Sequence, residues 1–399
     1  MSNSKIILLT KGEEDTYLTD NSKHSFFKSP KKTYSYFGQN WNAINPSNNL
    51  NFTESSFITM HLPIEGDLIS NVLLRLNISG ETLANDSSGR FHALEFIESV
   101  TFKYNDQVLS TIDYNYIALY HKLHSNNCQY KQFIDLTSLT KESLENNFKD
   151  INRDERNNVL HVPLPFWFTK NPGSAFPIWL LTKPRLVVQI KLKTNKSLSL
   201  IRNLDLLVQY TNLTHKEKDV FKNSSLEYLI EQVEIVNKRN IINESKVKID
   251  LPRNKYVKYL LWNTLPTIPT NDLKSEAHIK KTTILLNGTP ILDCADANRT
   301  ALVNRFSYFK TPVVNGVDFN GGASYKDFTD LNDLNIHSQV FCLNPSDFQS
   351  SGFLTTEKYN TFTLEIDTMN SINSSTLHVY IIKHNILRFK DGILNLLHN

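Results

Sequence analysis

The sequence is poor in the residues that staple or punctuate small folds. Its three cysteines, Cys128, Cys294 and Cys342, stand far apart with no Cys-x-x-Cys pair. That argues against a secreted disulfide framework or a zinc ribbon and fits a reducing compartment. Glycine and proline number only 12 and 14 in 399 residues, too few for collagen-like or proline-rich low complexity. Neither sign of charge dominates. The 43 basic and 40 acidic residues leave +3, so no specific nucleic-acid partner is expected on electrostatic grounds. Long apolar runs are missing as well: 176–181 is too short to span a bilayer, and 6–9 is too short for the apolar region of a signal peptide.

Sites for chemistry are equally scarce. There is no G-x-S-x-G, no P-loop and no G-x-G-x-x-G. His121 and His124, spaced i, i+3, lack a third ligand nearby and read as an ordinary polar helix face. Without an H-x-H run and a downstream Glu, a metal-binding cupin is disfavoured. Asp293 with Asp296, and Asp327, Asp330 and Asp333, have no Gly-centred calcium loop and read as solvated acids. Gly321-Gly322 reads as flexibility. No catalytic residue, metal ligand or cofactor is therefore expected, and the chain is not expected to be an enzyme.

What the sequence does have is alternation. Val72, Leu74, Leu76 and Ile78, then Val188, Ile190 and Leu192, Val247, Ile249 and Leu251, and Phe362, Leu364 and Ile366 each alternate with other residues. Period two places one face of a strand on a core. Many such runs at short spacing predict an all-β sandwich or barrel. Helices are few: a capping box at Thr214–Glu217 predicts one to about Lys222. Ile112, Tyr116, Leu119 and Leu123 share a helical face, as do Leu302, Phe306 and Phe309.

The pattern also repeats. Val100–Tyr104, Asn105-Asp106 and Val108-Leu109 match 283–286, Asn287-Gly288 and 290–292, with Asn287 lying 182 positions after Asn105. Gly352 follows Gly173 by 179 positions, and 377–387 follows 204–213 by 173. Three ordered landmarks at nearly one offset indicate a duplicated β-domain. The resulting division is an N-terminal arm (1–24), a first domain (25–213), a helical linker (214–223) and a second domain with a C-terminal tail (224–399). Two apolar-poor segments, 125–158 and 310–337, interrupt the copies at matching places and read as long loops leaving the same end.

Val162-Pro163-Leu164-Pro165-Phe166-Trp167-Phe168, followed by Asn171-Pro172-Gly173, stands apart. Two prolines exclude a central ladder position, so an edge or bulged strand is expected. Alternation would bury Phe166 and Phe168 together and turn Trp167 away, to be covered by the neighbouring domain or another subunit. Pro163, Pro165, Phe166, Trp167, Phe168, Asn171, Pro172 and Gly173 are thus the candidate interface or structural residues. Near the N-terminus Lys23, Lys28, Lys31 and Lys32 interleave with Phe26, Phe27 and Tyr34. A solvated tail anchored by its aromatics is the favoured reading there, with anionic lipid or nucleic acid the alternative.

These residues resemble the double jelly-roll major capsid proteins of the nucleocytoplasmic large DNA viruses. The resemblance runs through Gly12-Glu13-Glu14-Asp15-Thr16-Tyr17-Leu18-Thr19, Phe26-Phe27-Lys28, Gly66-Asp67-Leu68-Ile69, and His92-Ala93-Leu94 to Ile97-Glu98-Ser99-Val100. It continues in the 162–173 segment with Ala175 and Pro177, in Glu227-Tyr228-Leu229-Ile230-Glu231-Gln232, in Leu285-Leu286-Asn287-Gly288, and in Asn385-Ile386-Leu387-Arg388. It departs at Asp20-Asn21-Ser22, where the family often has Gly-Asn-Pro, and at Ile64-Glu65, where an Arg is common. The resemblance implies two tandem jelly rolls, each an eight-stranded antiparallel sandwich. It implies a homotrimer forming a pseudo-hexagonal capsomer in an icosahedral virion shell over an internal membrane, assembled in the host cytoplasm. Implied partners are the trimer lattice itself, minor capsid and penton proteins, and the membrane through the N-terminal region. The rival readings are a glycan-binding or glycan-processing β-sandwich protein and a minor capsid component.

Overall fold

A computed structural model gives the architecture. It describes residues 37–47, 57–78, 92–137, 158–182, 185–193, 201–222, 226–242, 244–266, 279–309, 336–368, 375–390 and 392–398, and positions 9, 12–14, 17, 25, 27–29 and 31–36 ahead of them. Two compact units result, Met1–Tyr36 and Phe37–Asn399. In the first, Ser25 and Lys28 form an isolated bridge, and Phe27 and Tyr34 are exposed. Lys23 and Phe26 lie outside the described residues.

In the second unit the alternating segments are strands. The first half of the chain contributes β1 (Phe37–Ile44), β2 (Phe57–Leu62), β3 (Leu68–Ile78), β4 (Ile97–Tyr104), β5 (Gln107–Asp113), β6 (Asn158–Pro163), β7 (Phe176–Pro177), β8 (Leu186–Leu192) and β9 (Ile201–Leu213). They form two antiparallel sheets ordered β1-β9-β3-β6, with β7 on β3, and β2-β8-β4-β5. The second half contributes β10 (Leu226–Ile235), β11 (Arg239–Ile241), β12 (Lys246–Asp250), β13 (Val257–Pro266), β14 (Ile279–Leu286), β15 (Thr289–Asp296), β16 (His337–Val340), β17 (Phe362–Thr368), β18 (Ser375–Lys390) and β19 (Ile393–Leu396). Their sheets are β10-β18-β13-β16 and β12-β17-β14-β15, with β11 and β19 on β18. Both halves thus have the interleaved order of a jelly roll. Among the described residues no strand of one half pairs with a strand of the other.

The duplication holds to the single residue. Trp41 lies opposite Gln209 in the first roll, and Val233 opposite Ile382 in the second; Gln39–Thr211 and Glu231–His384 match likewise. The pairs Gln209/Ile382 and Thr211/His384 are each 173 positions apart. The β4–β5 and β14–β15 turns match too. Asn105 (φ 52°) and Asn287 (φ 48°) are left-handed, and Gly288 follows Asn287 at φ 78°. Each Asn backbone N–H donates to the residue ahead of the neighbouring strand, Arg185 O (2.8 Å) and Thr361 O (3.0 Å). Asp113 and Asp296 cap the helical turns that follow, accepting from Tyr116 N and Arg299 N. Because the strands alternate in direction, the β3-to-β4, β5-to-β6 and β8-to-β9 connections leave one end of the roll, and the tight turns leave the other. The β13-to-β14, β15-to-β16 and β17-to-β18 connections match them.

Several expectations change. Residues 127–137 are not loop but an α-helix, Asn127–Thr137, with Tyr130 and Phe133 buried. Most of the rest of 125–158, nearly all of 310–337, and Gly321, Gly322, Asp327, Asp330 and Asp333 lie outside the described residues. Ile112 belongs to β5, ahead of the helix Tyr114–His124 that buries Tyr116, Leu119 and Leu123. The second helical face is not buried as spaced. A π-turn at Asn298–Val303 rotates the register, so Thr300, Ala301, Asn304 and Arg305 face inward while Leu302 and Phe306 are exposed. The linker forms the helix His215–Lys222, with Lys218 reaching Asp67 (2.7 Å).

Candidate functional site

The candidate site is the seam between the two rolls. Its second-roll side is the β10-β18-β13-β16 sheet. Alternation sends Leu260, Trp262, Val379 and Ile381 into that roll's own core. Their neighbours Tyr259, Leu261, Tyr380 and Ile382 join an apolar cluster that is continuous with the first roll's core. A sheet buried on both faces is the mark of a permanent contact.

The 162–173 segment supplies much of the first-roll side. The ladder ends at Pro163, and Trp167–Lys170 winds one helical turn. Strand alternation therefore stops applying, and Phe166, Trp167 and Phe168 are all buried (1, 4 and 0% exposed). Trp167 does not turn away as expected. It packs edge-on to Phe102 (5.7 Å) and Phe168 (5.2 Å), residues of its own roll. Asn171 Oδ1 accepts from Gly173 N (2.7 Å) and starts the Pro172–Ser174 turn, and Ser174 Oγ ties back to Trp167 O (3.0 Å). Pro163, Pro165, Trp167 and Asn171 border a cleft of about 900 Å³ that also touches Glu231 and 345–349 of the second roll.

The same turn aims Lys170 across the seam. Its ammonium donates to Glu231 Oε2 of β10 (2.8 Å), and Lys258 of β13, fully buried, donates to Glu231 Oε1 and to Asp347 O (2.6 Å). Burial opposes both charges, yet the pairing wins: Glu231 is held well below the usual carboxylate range by Lys170 and Lys258, and Lys170 is raised by Glu231. His121 and His124 sit beside this cluster. They are not the polar face their spacing suggested. His121 stacks on Phe133 (4.1 Å), and His124 stacks on Tyr120 (4.7 Å) and lies 3.1 Å from Tyr259 Oη. Burial lowers their pKa values to about 4 and about 3.

A second polar knot lies further along the seam. Tyr380 Oη donates to Asp113 Oδ1 (2.9 Å), and Asn115 Nδ2 donates to Tyr380 Oη (2.9 Å) and to Asn263 Oδ1 (2.8 Å). Asn263 Nδ2 returns a bond to Asn115 Oδ1 (3.2 Å), and Gln232 Nε2 donates to Leu109 O (2.9 Å). Burial pushes the Asp113 carboxyl up, against the Tyr116 N–H and Lys238 that stabilise its charge. Satisfied buried polar pairs of this kind fix one register where apolar packing alone would tolerate sliding. Glu231 and Gln232 were visible only as part of the 227–232 segment. Asp113, Asn115, Lys170, Lys258 and Asn263 had no local signal. Asp293 is exposed, Asp296 is a helix cap, and among the described residues no three His, Cys, Asp or Glu side chains are grouped to hold a metal.

Comparison with known proteins supplies the context. A family model described as "Major capsid protein N-terminus" matches residues 25–256. A major capsid protein of Pyramimonas orientalis virus is 23% identical, over 97% of this chain and 96% of its own length. Among solved structures, a chain of the PBCV-1 virus capsid superposes with a TM-score of 0.74 at 18% identity, covering 94% of this chain and all of that one. The Faustovirus major capsid protein superposes at 0.69 with 11% identity, covering 95% and 94%. Both likenesses establish the double jelly-roll fold.

Proposed function

The chain belongs to the major capsid protein family, and from that premise we propose that it builds an icosahedral virion shell as a homotrimer whose six rolls make a pseudo-hexagonal capsomer. The observation that carries the trimer is the register match between the rolls. The seam joins β5 and the helix after it, in the first roll, to the outer face of β10 and its sheet, in the second. Each side has a counterpart left open. On the second roll β15 and the turn after it expose Ile291 (43%), Leu302 (45%), Val303 (54%) and Phe306 (91%). On the first roll β1 exposes Phe37 and Trp41, and Trp41 occupies the position of Val233, which packs at the seam. A contact between these two faces repeats the seam between copies. It is head-to-tail, so it closes into a ring when the rotation allows.

Three chains of two rolls give six lobes, and a six-lobed block tiles a hexagonal sheet. In this reading residues 1–24 are an arm, 25–213 and 224–399 the rolls, and 214–223 the link. Lys28, Lys31 and Lys32 with exposed Phe27 suit an anionic membrane beneath the shell. Minor capsid and penton proteins are the remaining neighbours, and assembly takes place in the host cytoplasm. The role is structural, and no side chain is assigned a catalytic part.

Native mass spectrometry and negative-stain imaging test the reading. Wild type should give trimers seen as six-lobed particles. Phe306→Asp and Trp41→Asp should each give folded monomers, with unchanged circular dichroism. Monodisperse wild-type monomers would sink the proposal.

A further inference from the structure

One half of the seam's polar knot is present twice in the chain. Asp113 closes β5 and Asn115 lies in the helix after it; Asp296 closes β15 and Asn298 opens the turn after it. Each aspartate caps that turn, accepting from the backbone N–H three residues on, Tyr116 N (2.8 Å) and Arg299 N (2.9 Å). The surroundings differ. Asp113 and Asn115 are buried against the second roll, 3 and 6% exposed, whereas Asp296, Asn298 and Arg299 are exposed. The same Asp-x-Asn in the same turn has a cover on one roll and, among the described residues, none on the other.

Strand register identifies what faces the exposed pair. At the seam Asp113 and Asn115 meet Tyr380 and Asn263. Tyr380 lies opposite Leu261, and Asn263 opposite His378. The first roll's counterparts, 173 positions earlier on β9, are Leu207 opposite Leu73 and Asp205 opposite Arg75. Leu207 thus stands for Tyr380, and Arg75 for Asn263: a hydroxyl donor is lost and a guanidinium is gained. Asp205 holds that guanidinium in place, with Nε on Oδ1 (2.7 Å) and Nη2 on Oδ2 (2.5 Å), and the Arg75 side chain is 37% exposed. Among the described residues Nη1 has no acceptor, so a pre-oriented donor points outward from the sheet.

We propose that Arg75 of one copy donates across the joint to the Asp296 carboxylate of the next, with Asn298 Oδ1 as a second acceptor. The inference rests on the head-to-tail trimer and adds the contact that fixes its register. One Asp296 oxygen serves the cap, and the other is left for the guanidinium. Arg299 brings the second cation, so two guanidinium groups balance Asp205 and Asp296. The seam's knot relies mainly on uncharged donors, whereas this one is ionic and partly solvated, so added salt weakens it.

Dissociation of the full-length trimer on dilution, read by mass photometry at low and high sodium chloride, tests the contact. Asp296→Asn removes the charge but keeps an oxygen for the cap, and Asp296→Ser caps without a charge in a second way. Arg75→Gln with Asp205→Asn removes both charges of the first-roll pair, so neither is stranded. Each change should weaken the trimer about tenfold and flatten its salt dependence, with unchanged circular dichroism. Asp296→Asn added to the Arg75→Gln, Asp205→Asn protein should weaken it no further, because both remove one interaction. Wild-type affinity in both Asp296 variants, or losses that add, overturns the contact and leaves the trimer standing. Wild-type monomers at every concentration would remove the trimer itself and this contact with it.

Discussion

Glu231 is a largely buried carboxylate between two ammonium groups, one of them fully buried. Such an arrangement stabilises little against an apolar substitute, but removing one partner leaves a buried charge unmatched. Glu231→Gln should therefore destabilise the protein by about 3–5 kcal/mol, read from urea midpoints. Lys258, with no solvent exposure, is the charge left stranded. Adding Lys258→Met and Lys170→Met should restore much of the loss, because the triple variant has no unpaired charge. A Glu231→Gln protein as stable as wild type would show that Lys258 finds other partners. The cost belongs to the residue, and the orientation of the rolls is what it secures.

At the scale of elements, two glycines separate backbone strain from crowding. Gly288 has φ 78°, and a Cβ added there would meet nothing within 4 Å, so Gly288→Ala should cost about 1 kcal/mol through backbone alone. Gly66 is different: a Cβ there would lie 2.7 Å from Tyr210 Cβ, on a buried strand. Gly66→Ala should cost more, about 1–3 kcal/mol, because the backbone must shift. Thermal melts of the two variants check the order, and the reverse order would contradict the packing. The Asn287-Gly288 turn was legible because left-handed positions select Asn and Gly. The turn after Pro163 was not. The prolines at 163 and 165 announce that the ladder stops, but they do not say that Trp167–Lys170 then winds a helical turn, which puts three consecutive aromatics into one core. The π-turn at Asn298–Val303 was hidden for a similar reason, since one extra residue per turn moves Leu302 and Phe306 outward without changing their spacing.

At the scale of the molecule, the duplication was readable because both rolls kept the same strand register and the same Asn turns. The seam was not, because its pairs join distant positions: Lys170 with Glu231, Asn115 with Asn263, Asp113 with Tyr380. Neutral histidines make that seam sensitive to acid. Burial lowers His121 and His124 to about 4 and about 3 against 6.5 ordinarily, and it lowers His378 to about 3 and His337, beside Trp262 in the second roll's own core, to about 4. Their folded pKa values lie below the unfolded ones, so the unfolded chain binds more protons between them. The stability they contribute is complete above 6.5 and is lost as pH falls toward 4, at about 1.4 kcal/mol per unit for each histidine. Urea midpoints should fall between pH 7.5 and pH 5, and His121→Gln with His124→Gln should flatten the slope. Equal midpoints at the two pH values would count against buried, neutral rings.

The alternation of strand direction has one more consequence, for how such a chain can diverge. The Asn turns sit at one end of each roll, and the seam draws on strands of both rolls and on the helix Tyr114–His124. The described strands joined by the β3-to-β4, β5-to-β6 and β8-to-β9 connections, and by their counterparts in the second roll, present those ends at the opposite end of each roll from the Asn turns. Lengthening a connection adds only slowly to its closure entropy. These connections can therefore lengthen by insertion while the strand-borne joints between the rolls, Asp113 with Tyr380 and Leu109 with Gln232, keep their original residues.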